Sequence, residues 1–270
     1  MPLYMNGVKI PLEARFPDGT FAMKIVPDTV HPLSNTAVLR WNYKDESECV
    51  ALRFIVEHLR THGIDEIILE MPYIPNARLD RVQKHDEVFT LKYFAKMLNE
   101  MKFSEVRVLD PHSNVSAAVI ENIVISSPKE YIDKAISDIN DPDLFMFYPD
   151  EGAMKRYSKM VERPYGFGIK RRDWSTGKIL SYDIVGAEDV KGKNVLVVDD
   201  ICSRGGTFLN AAKALKRAGA EKIYLYCSHC EDTIFSGELL DGDLIERVYT
   251  TNSIFSCHSG MKIVVFDWNY

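Results

Sequence analysis

The run Val195-Leu196-Val197-Val198 constrains this chain more than any other stretch. Four consecutive aliphatic residues, three of them β-branched, leave no polar face and read as a strand covered on both sides. Asp199-Asp200 follow at once, then Ser203-Arg204-Gly205-Gly206-Thr207, then an alanine-rich stretch of helical spacing to Ala218 with Gly219 just past its end. Strand, acidic pair, glycine loop and helix in succession make one unit of a parallel α/β sheet.

Similar units recur along the chain. Asp45 with Glu48 three residues on opens a helix in which Val50, Phe54, Ile55 and Leu59 follow at helical spacing until Gly63. Ile67-Ile68-Leu69 reads as a buried strand, Thr90 to Met101 as a helix with Phe94, Met97 and Leu98 inward, and Val106 to Leu109 as a strand. A second round runs through Leu144–Phe147, Phe167–Ile169, Val195–Val198, Ile223–Tyr226 and Ile263–Phe266. A chain of 270 residues with 46% hydrophobic content comfortably builds two cores. The pattern predicts two doubly wound α/β domains with parallel sheets, 1–140 and 141–270, joined by the polar stretch Asp138 to Asp143. No apolar run approaches membrane-span length and the N-terminal residues carry no leader pattern, so neither secretion nor a membrane partner is expected. Five scattered cysteines, an odd number, suit a reducing, cytoplasmic setting. The net charge of −6 argues against a broad nucleic-acid surface but leaves room for a local basic pocket.

Ligands of open parallel sheets collect beyond the carboxyl ends of the strands, so residues just after strand runs matter most. Backbone amides from Arg204 to Thr207 are placed to converge on a phosphate. Gly205 and Gly206 permit close approach, and a helix N-terminus adds partial positive charge. Asp199 and Asp200 then lie where sugar hydroxyls or a metal would be. In Lys170-Arg171-Arg172, Lys170 and Arg172 share one side of an extended strand and suit stabilisation of a transferring phosphoryl-type group. Cys227-Ser228-His229-Cys230 is a single Cys-x-x-Cys with no partner pair elsewhere, which is weak for structural zinc, and it is read as strand rather than metal site.

The segment 199–207 resembles the phosphoribosyl pyrophosphate (PRPP) motif shared by type I phosphoribosyltransferases and ribose-phosphate pyrophosphokinases. Pro72-Tyr73-Ile74-Pro75-Asn76-Ala77-Arg78-Leu79-Asp80-Arg81 resembles a signature specific to the pyrophosphokinases, with Leu79 in place of glutamine. That resemblance implies two phosphoribosyltransferase-like domains with the active site between them. It also implies ATP held by Phe16, Asp18, Arg78, Asp80, Arg81 and His112, and a sugar phosphate held by Asp199, Asp200, Ser203, Arg204, Gly205, Gly206 and Thr207. Leu109-Asp110-Pro111-His112 and Tyr148-Pro149-Asp150-Glu151-Gly152 resemble the family's segments that hold Mg2+, which implies His112 and Asp150 at the metal. Lys170 and Arg172 would head a mobile catalytic loop. Arg15-Phe16-Pro17-Asp18-Gly19-Thr20 resembles an adenine-binding segment that reaches across a subunit contact, so a homo-oligomer, at least a dimer, is expected. Ile234-Phe235-Ser236-Gly237 matches a further family segment.

The implied reaction is transfer of the diphosphoryl group of ATP to the anomeric hydroxyl of ribose 5-phosphate. The phosphate loop departs from the family's usual Asp-Thr-Gly-Gly-Thr, however: Ser203-Arg204 loses a carboxylate and gains a guanidinium. An arginine fork suits a diphosphate bridge, which keeps ADP-ribose open as the acceptor, as in some short, phage-encoded relatives, with NAD salvage as the setting. A type I phosphoribosyltransferase would have no evident need for Pro72–Arg81. A non-catalytic regulatory relative would normally lack Lys170 and Arg172.

Overall fold

The computed structural model describes residues 3–25, 35–172, 179–257, 260 and 262–269; the side chains of residues 170–181 lie outside that description. The chain divides into two compact units, Met1–Ser126 and Ser127–Trp268.

In the first unit an antiparallel hairpin, β1 (Leu3–Met5) and β2 (Val8–Ile10), edges a parallel set formed by β3 (Thr36–Trp41), β4 (Glu66–Glu70), β5 (Glu105–Leu109) and β6 (Ile123–Ser126), in the order β2-β1-β3-β4-β5-β6. Helix α1 (Ser47–Thr61) is opened by Asp45, whose carboxylate accepts from the Ser47 amide at 2.8 Å. Glu48 does not close a box on Asp45. Its carboxylate instead accepts from the Lys44 amide at 2.9 Å and, buried, from the Trp41 indole at 3.0 Å, so the helix start is tied to the end of β3. Gly63 at φ +77° ends the helix in the left-handed conformation that glycine adopts at least cost. The buried stripe of α1 runs through Leu52, Ile55, Val56 and Leu59, whereas Val50 and Phe54 of the predicted face are exposed. Helix α2 (Thr90–Glu100) buries Phe94 and Leu98 as expected, together with Leu91 and Ala95, while Met97 is half-buried. A short helix, α3 (Val115–Val119), precedes β6.

The second unit begins with α4 (Lys129–Ile139), within the span 1–140 that the sequence reading assigned to the first domain. Asp138 of this helix accepts from Arg247 at 2.7 Å and from the Tyr249 hydroxyl at 2.8 Å, and Tyr131 stacks on Phe266. The polar stretch read as a linker is anchored here as well. Arg163 donates to the carbonyls of Asp141 and Pro142, and Asn194 to the Asp141 carboxylate at 2.8 Å. A polar composition therefore marked a hydrogen-bonded corner, not a joint.

The sheet of this unit is ordered β13-β12-β11-β10-β7-β8-β9. It comprises β7 (Phe145–Tyr148), β8 (Tyr165–Arg172), β9 (Ile179–Val185), β10 (Val195–Cys202), β11 (Ile223–Cys230), β12 (Arg247–Thr251) and β13 (Ile263–Phe266). All neighbours are parallel except the edge pair β8 and β9, an antiparallel hairpin within an otherwise parallel sheet. The central strand β10 is buried on both faces from Val195 to Val198, as its unbroken apolar run requires. Helix α6 (Gly206–Arg217) lays Phe208, Ala211, Ala212 and Leu215 into the core with Val195, Val197 and Leu225. Helix α5 (Glu151–Tyr157) follows β7, and a single helical turn spans Asp232–Ser236.

The sequence Tyr165-Gly166-Phe167-Gly168 gives β8 two glycines on one face. A Cβ on Gly166 would stand 2.6 Å from the Val185 carbonyl oxygen, and one on Gly168 would overlap the Tyr182 hydroxyl. That hydroxyl donates to the Pro149 carbonyl at 2.9 Å, so β9 crosses β8 closely enough to tether the turn after β7. Because the obstruction at Gly166 is backbone, Gly166→Ala is expected to cost about 1–3 kcal/mol. For a chain of this size that lowers the melting temperature by roughly 2–4 °C per kcal/mol, as thermal denaturation followed by circular dichroism would show.

Candidate functional site

In the second unit the site is assembled at the carboxyl ends of β7 and β10. Strand β10 ends in Asp199 and Asp200. Asp200 is 4% exposed and forms an ion pair with Arg156 of α5, Nη1 to Oδ2 3.2 Å. At the other end of α5, Asp150 caps the helix by accepting from the Ala153 amide at 3.0 Å. Asp199 keeps part of its surface accessible, yet burial, then Asp200, then Asp150 push its carboxyl well above the ordinary value. Tyr182 is pushed up by burial, with Asp150 and Asp199 adding to the effect. Asp150, Asp199, Asp200, Arg156 and Tyr182 thus form one polar cluster, in which, among the described residues, three carboxylates face a single arginine. The sequence reading named the aspartates but not Arg156 or Tyr182; Arg156 lies six residues beyond Asp150, nearly two helical turns, a spacing that by itself specifies no partner.

The loop after β10 is held from beneath. The Ser203 hydroxyl donates to the Glu231 carboxylate, which also accepts from Thr233 at 3.0 Å. Gly205, at φ +77°, sits against the Leu239 side chain, and the Leu209 amide returns to its carbonyl at 2.8 Å. At Gly237 any Cβ would overlap the carbonyl oxygen of Arg204, so the segment Ile234–Gly237 closes directly on the loop backbone. The first amides of α6, at Gly206 and Thr207, are then available to an anion. The Arg204 side chain is exposed and has no hydrogen bond or ion pair among the described residues.

In the first unit two loops converge. The loop after β4 buries Tyr73, Ile74 and Ala77, exposes Arg78 and Leu79, and buries Asp80. Arg81 grips Asp80 with two bonds, Nε–Oδ1 2.8 Å and Nη2–Oδ2 3.3 Å. The loop after β5 starts at Asp110, which is buried at φ +40°, a left-handed conformation that aspartate tolerates. It brings His112 and Ser113 to Asp80. Burial alone would lift the Asp80 carboxyl, but the Arg81 and Ser113 hydrogen bonds and the charges of Arg81 and His112 hold it below the ordinary value. The Arg78–Arg81 and Asp110–His112 motifs are therefore one constellation.

Phe16 and Asp18 lie on a separate turn, in which Asp18 accepts from the Thr20 amide at 3.0 Å and from its hydroxyl at 2.7 Å. Phe16 is 57% exposed and lines a cavity of about 390 Å³ with Phe21, Met23, Ile25, Phe54 and His58. Lys170 and Arg172 belong by backbone to the end of β8, where they pair in register with Tyr182 and Ile179; their side chains lie outside the described residues, as do residues 173–178, where the sequence reading expects a catalytic loop. Cys227 and Cys230 are fully buried, and the pairing of Cys202 with Cys230 across β10 and β11 adds a third thiol to them. In the sequence Cys202 stands only as one of five scattered cysteines.

Residues 161–238, which include the acidic strand end, the glycine loop and the helix that follows, match the phosphoribosyl transferase domain. The chain is 30% identical over 257 residues to the ribose-phosphate pyrophosphokinase of Thermococcus kodakarensis, covering 93% of this chain and 88% of that one. Over 265 residues it is 30% identical to that of Methanothermobacter thermautotrophicus, covering 94% and 88%. The crystal structure of phosphoribosylpyrophosphate synthetase from Mycobacterium smegmatis shares the fold, with a TM-score of 0.69 at 21% identity over 81% of this chain and 73% of that one. The fold and these relatives together define a diphosphotransferase built from phosphoribosyltransferase-type α/β units. The chain belongs to the ribose-phosphate pyrophosphokinase family.

Two substitutions in the acidic cluster should move stability in opposite directions. Arg156→Ala leaves Asp200 buried beside two other carboxylates, at a cost of about 3 kcal/mol. Asp199→Asn removes a carboxyl whose folded value is raised. Folding disfavours its charged form, so the penalty is absent at low pH and grows as pH rises from the ordinary carboxyl range through the raised value. The expected stabilisation of the metal-free Asp199→Asn variant therefore increases over that interval, as melting temperatures measured across pH would show.

Proposed function

We propose that this chain is an ATP-dependent pyrophosphokinase that transfers the β,γ-diphosphoryl group of ATP to the anomeric hydroxyl of ribose 5-phosphate and releases AMP. The observation that carries this reading is the coexistence, in a member of this family, of two constellations suited to phosphate: Asp199-Asp200 with the 203–207 loop in one unit, and Arg78, Asp80, Arg81 and His112 in the other.

Asp199 and Asp200 are suited to accept hydrogen bonds from the ribose hydroxyls, and the amides of Gly206 and Thr207, with the Thr207 hydroxyl, to hold the 5-phosphate, while the Ser203 hydroxyl is given to Glu231 and shapes the loop. Arg78 and Arg81 would bind the triphosphate, Arg81 with its fork already oriented by Asp80. The acceptor oxygen attacks the β-phosphorus, the bond to the bridging oxygen shared with the α-phosphorus breaks, and AMP departs. Lys170 and Arg172 are proposed to donate to the non-bridging oxygens of the group in flight, with positioning supplying much of the rest.

Asp150 and Asp199 fit Mg2+: they are hard oxygen donors, and the charge of Asp150 adds to burial and Asp200 in raising the Asp199 carboxyl, a repulsion that a divalent cation relieves. Magnesium, when bound with the nucleotide, neutralises charge on the phosphate oxygens. His112 offers nitrogen, a poorer match to Mg2+ than oxygen, and is proposed to steady the magnesium-nucleotide complex from its water shell. Phe16 and Asp18 are assigned to the adenine, and the short turn that holds Asp18 gives them a defined platform.

A second reading keeps the chemistry and changes the acceptor. Arg204 is exposed and unpaired among the described residues. That leaves a guanidinium available for the diphosphate bridge of ADP-ribose, whose terminal ribose carries a free anomeric hydroxyl.

Product separation after incubation with Mg2+, ATP and each sugar is expected to give AMP and a pyrophosphorylated sugar. Formation of ADP, or no turnover with either sugar, contradicts the reaction. The kcat/KM ratio of the two sugars in wild type and Arg204→Thr decides the acceptor: a selective loss with ADP-ribose assigns Arg204 to the bridge, and an unchanged preference for ribose 5-phosphate rejects that role. Alanine at Lys170 or Arg172 should lower kcat by roughly 10²-fold or more with a smaller change in KM, measured by steady-state kinetics.

A further inference from the structure

Three thiols meet directly beneath the phosphate loop. Cys202 ends β10, Cys230 ends β11 in register with it, and Cys227 lies further back on β11 in register with Asp199. Their sulfur atoms all lie within 4.8 Å of one another, and all three residues are fully buried. Sulfurs about 2.3 Å from a common centre are separated by roughly 3.8 Å in tetrahedral and 4.0 Å in trigonal coordination, so the cluster is of the size that one ion occupies. A second observation points the same way. The Thr250 hydroxyl on β12 is fully buried beside Cys227 without a well-formed hydrogen bond of its own. An unsatisfied hydroxyl in an otherwise apolar core costs about 1–3 kcal/mol, whereas beside a bound ion it has thiolate sulfur to donate to.

We propose that Cys202, Cys227 and Cys230 form a three-thiolate site for a thiophilic d10 cation. Binding releases each ligating thiol's proton to solvent and changes no oxidation state. Soft sulfur selects against Mg2+, so the site is chemically separate from the carboxylates of the reaction centre although Cys202 is only two residues from Asp200. An oxidative role is disfavoured by burial. It pushes the Cys227 thiol up; for Cys202 and Cys230 a hydrogen bond to a neighbouring thiol works downward first and is outweighed by the remaining thiol and by burial. Neutral buried thiols are poor nucleophiles.

The position gives the ion a mechanical consequence. Cys202 is joined to Ser203, and Cys230 to Glu231, and it is the Ser203 hydroxyl and the Glu231 carboxylate that bond across the loop base. An ion shared by the two strand ends would fix the spacing on which that bond depends.

The test uses the full chain, reduced and in excess Mg2+, incubated with one equivalent of Zn2+ or Cu+ and desalted. Native mass spectrometry is expected to show one retained ion, and the melting temperature to rise by about 5 °C or more when the free ion stands well above its dissociation constant. Cd2+ in place of either should give thiolate-to-metal charge-transfer absorption, which carboxylate or imidazole binding does not. Cys227→Ala and Cys230→Ala, which keep a small apolar residue, should lose the ion, the shift and the absorption while remaining folded by circular dichroism. Retention of Zn2+ or Cu+ relative to the other identifies the preferred ion. No retained ion in the wild type, or equal retention in a Cys227→Ala/Cys230→Ala double variant, overturns the proposal, and the double variant also decides the matter should one single variant fail to fold.

Discussion

The second unit depends on placing two adjacent carboxylates at the end of a strand with no polar face. Val195 to Val198 are buried on both sides, so β10 has to occupy the middle of the sheet, and its end delivers Asp199 and Asp200 into a poorly solvated corner. Everything nearby answers that charge. Arg156 reaches from α5 to pair with Asp200, Asp150 turns one oxygen into a helix cap, and the first amides of α6 face outward, where an anion can take them. Among the described residues one arginine answers three carboxylates, an electrostatic imbalance that folding alone leaves unfinished.

The sequence made the centre of each sheet legible and the periphery less so. Unbroken apolar runs such as Ile67–Leu69 and Val195–Val198 have one physical solution, a doubly covered parallel strand, and the glycine at position 63 marked a helix end for the same reason it occupies a left-handed conformation. The hairpin of β1 and β2 escaped notice because short strands such as Leu3–Met5 carry too few residues for a period to show. The outer face of α1 was misassigned because Val50 and Phe54 are apolar and at helical spacing, yet a stripe one position on, through Ala51, Leu52, Ile55 and Val56, buries more completely. The corner at Asp138 to Asp143 shows the limit of composition: aspartates and a proline describe a solvated joint and a hydrogen-bonded turn equally well.

The candidate site divides along similar lines. Residues that act through a local motif, such as the 203–207 loop or Arg78 to Arg81, were visible because a turn and its neighbours are encoded together. Residues that act across the sheet were not. Arg156 meets Asp200 from 44 positions away, and Cys202 meets Cys230 only because two parallel strands share a register. The convergence of Asp80 with His112 and Ser113 likewise requires knowing that β4 and β5 are neighbours.

The contact between Gly237 and the Arg204 carbonyl has an evolutionary reading. The loop is gripped at residue 204 through its main chain, while the side chain there is left outside the packing. The shape of the loop is thus inherited separately from the chemistry it displays. A lineage could exchange the side chain at 204 in a single step without reopening the question of whether the loop forms at all.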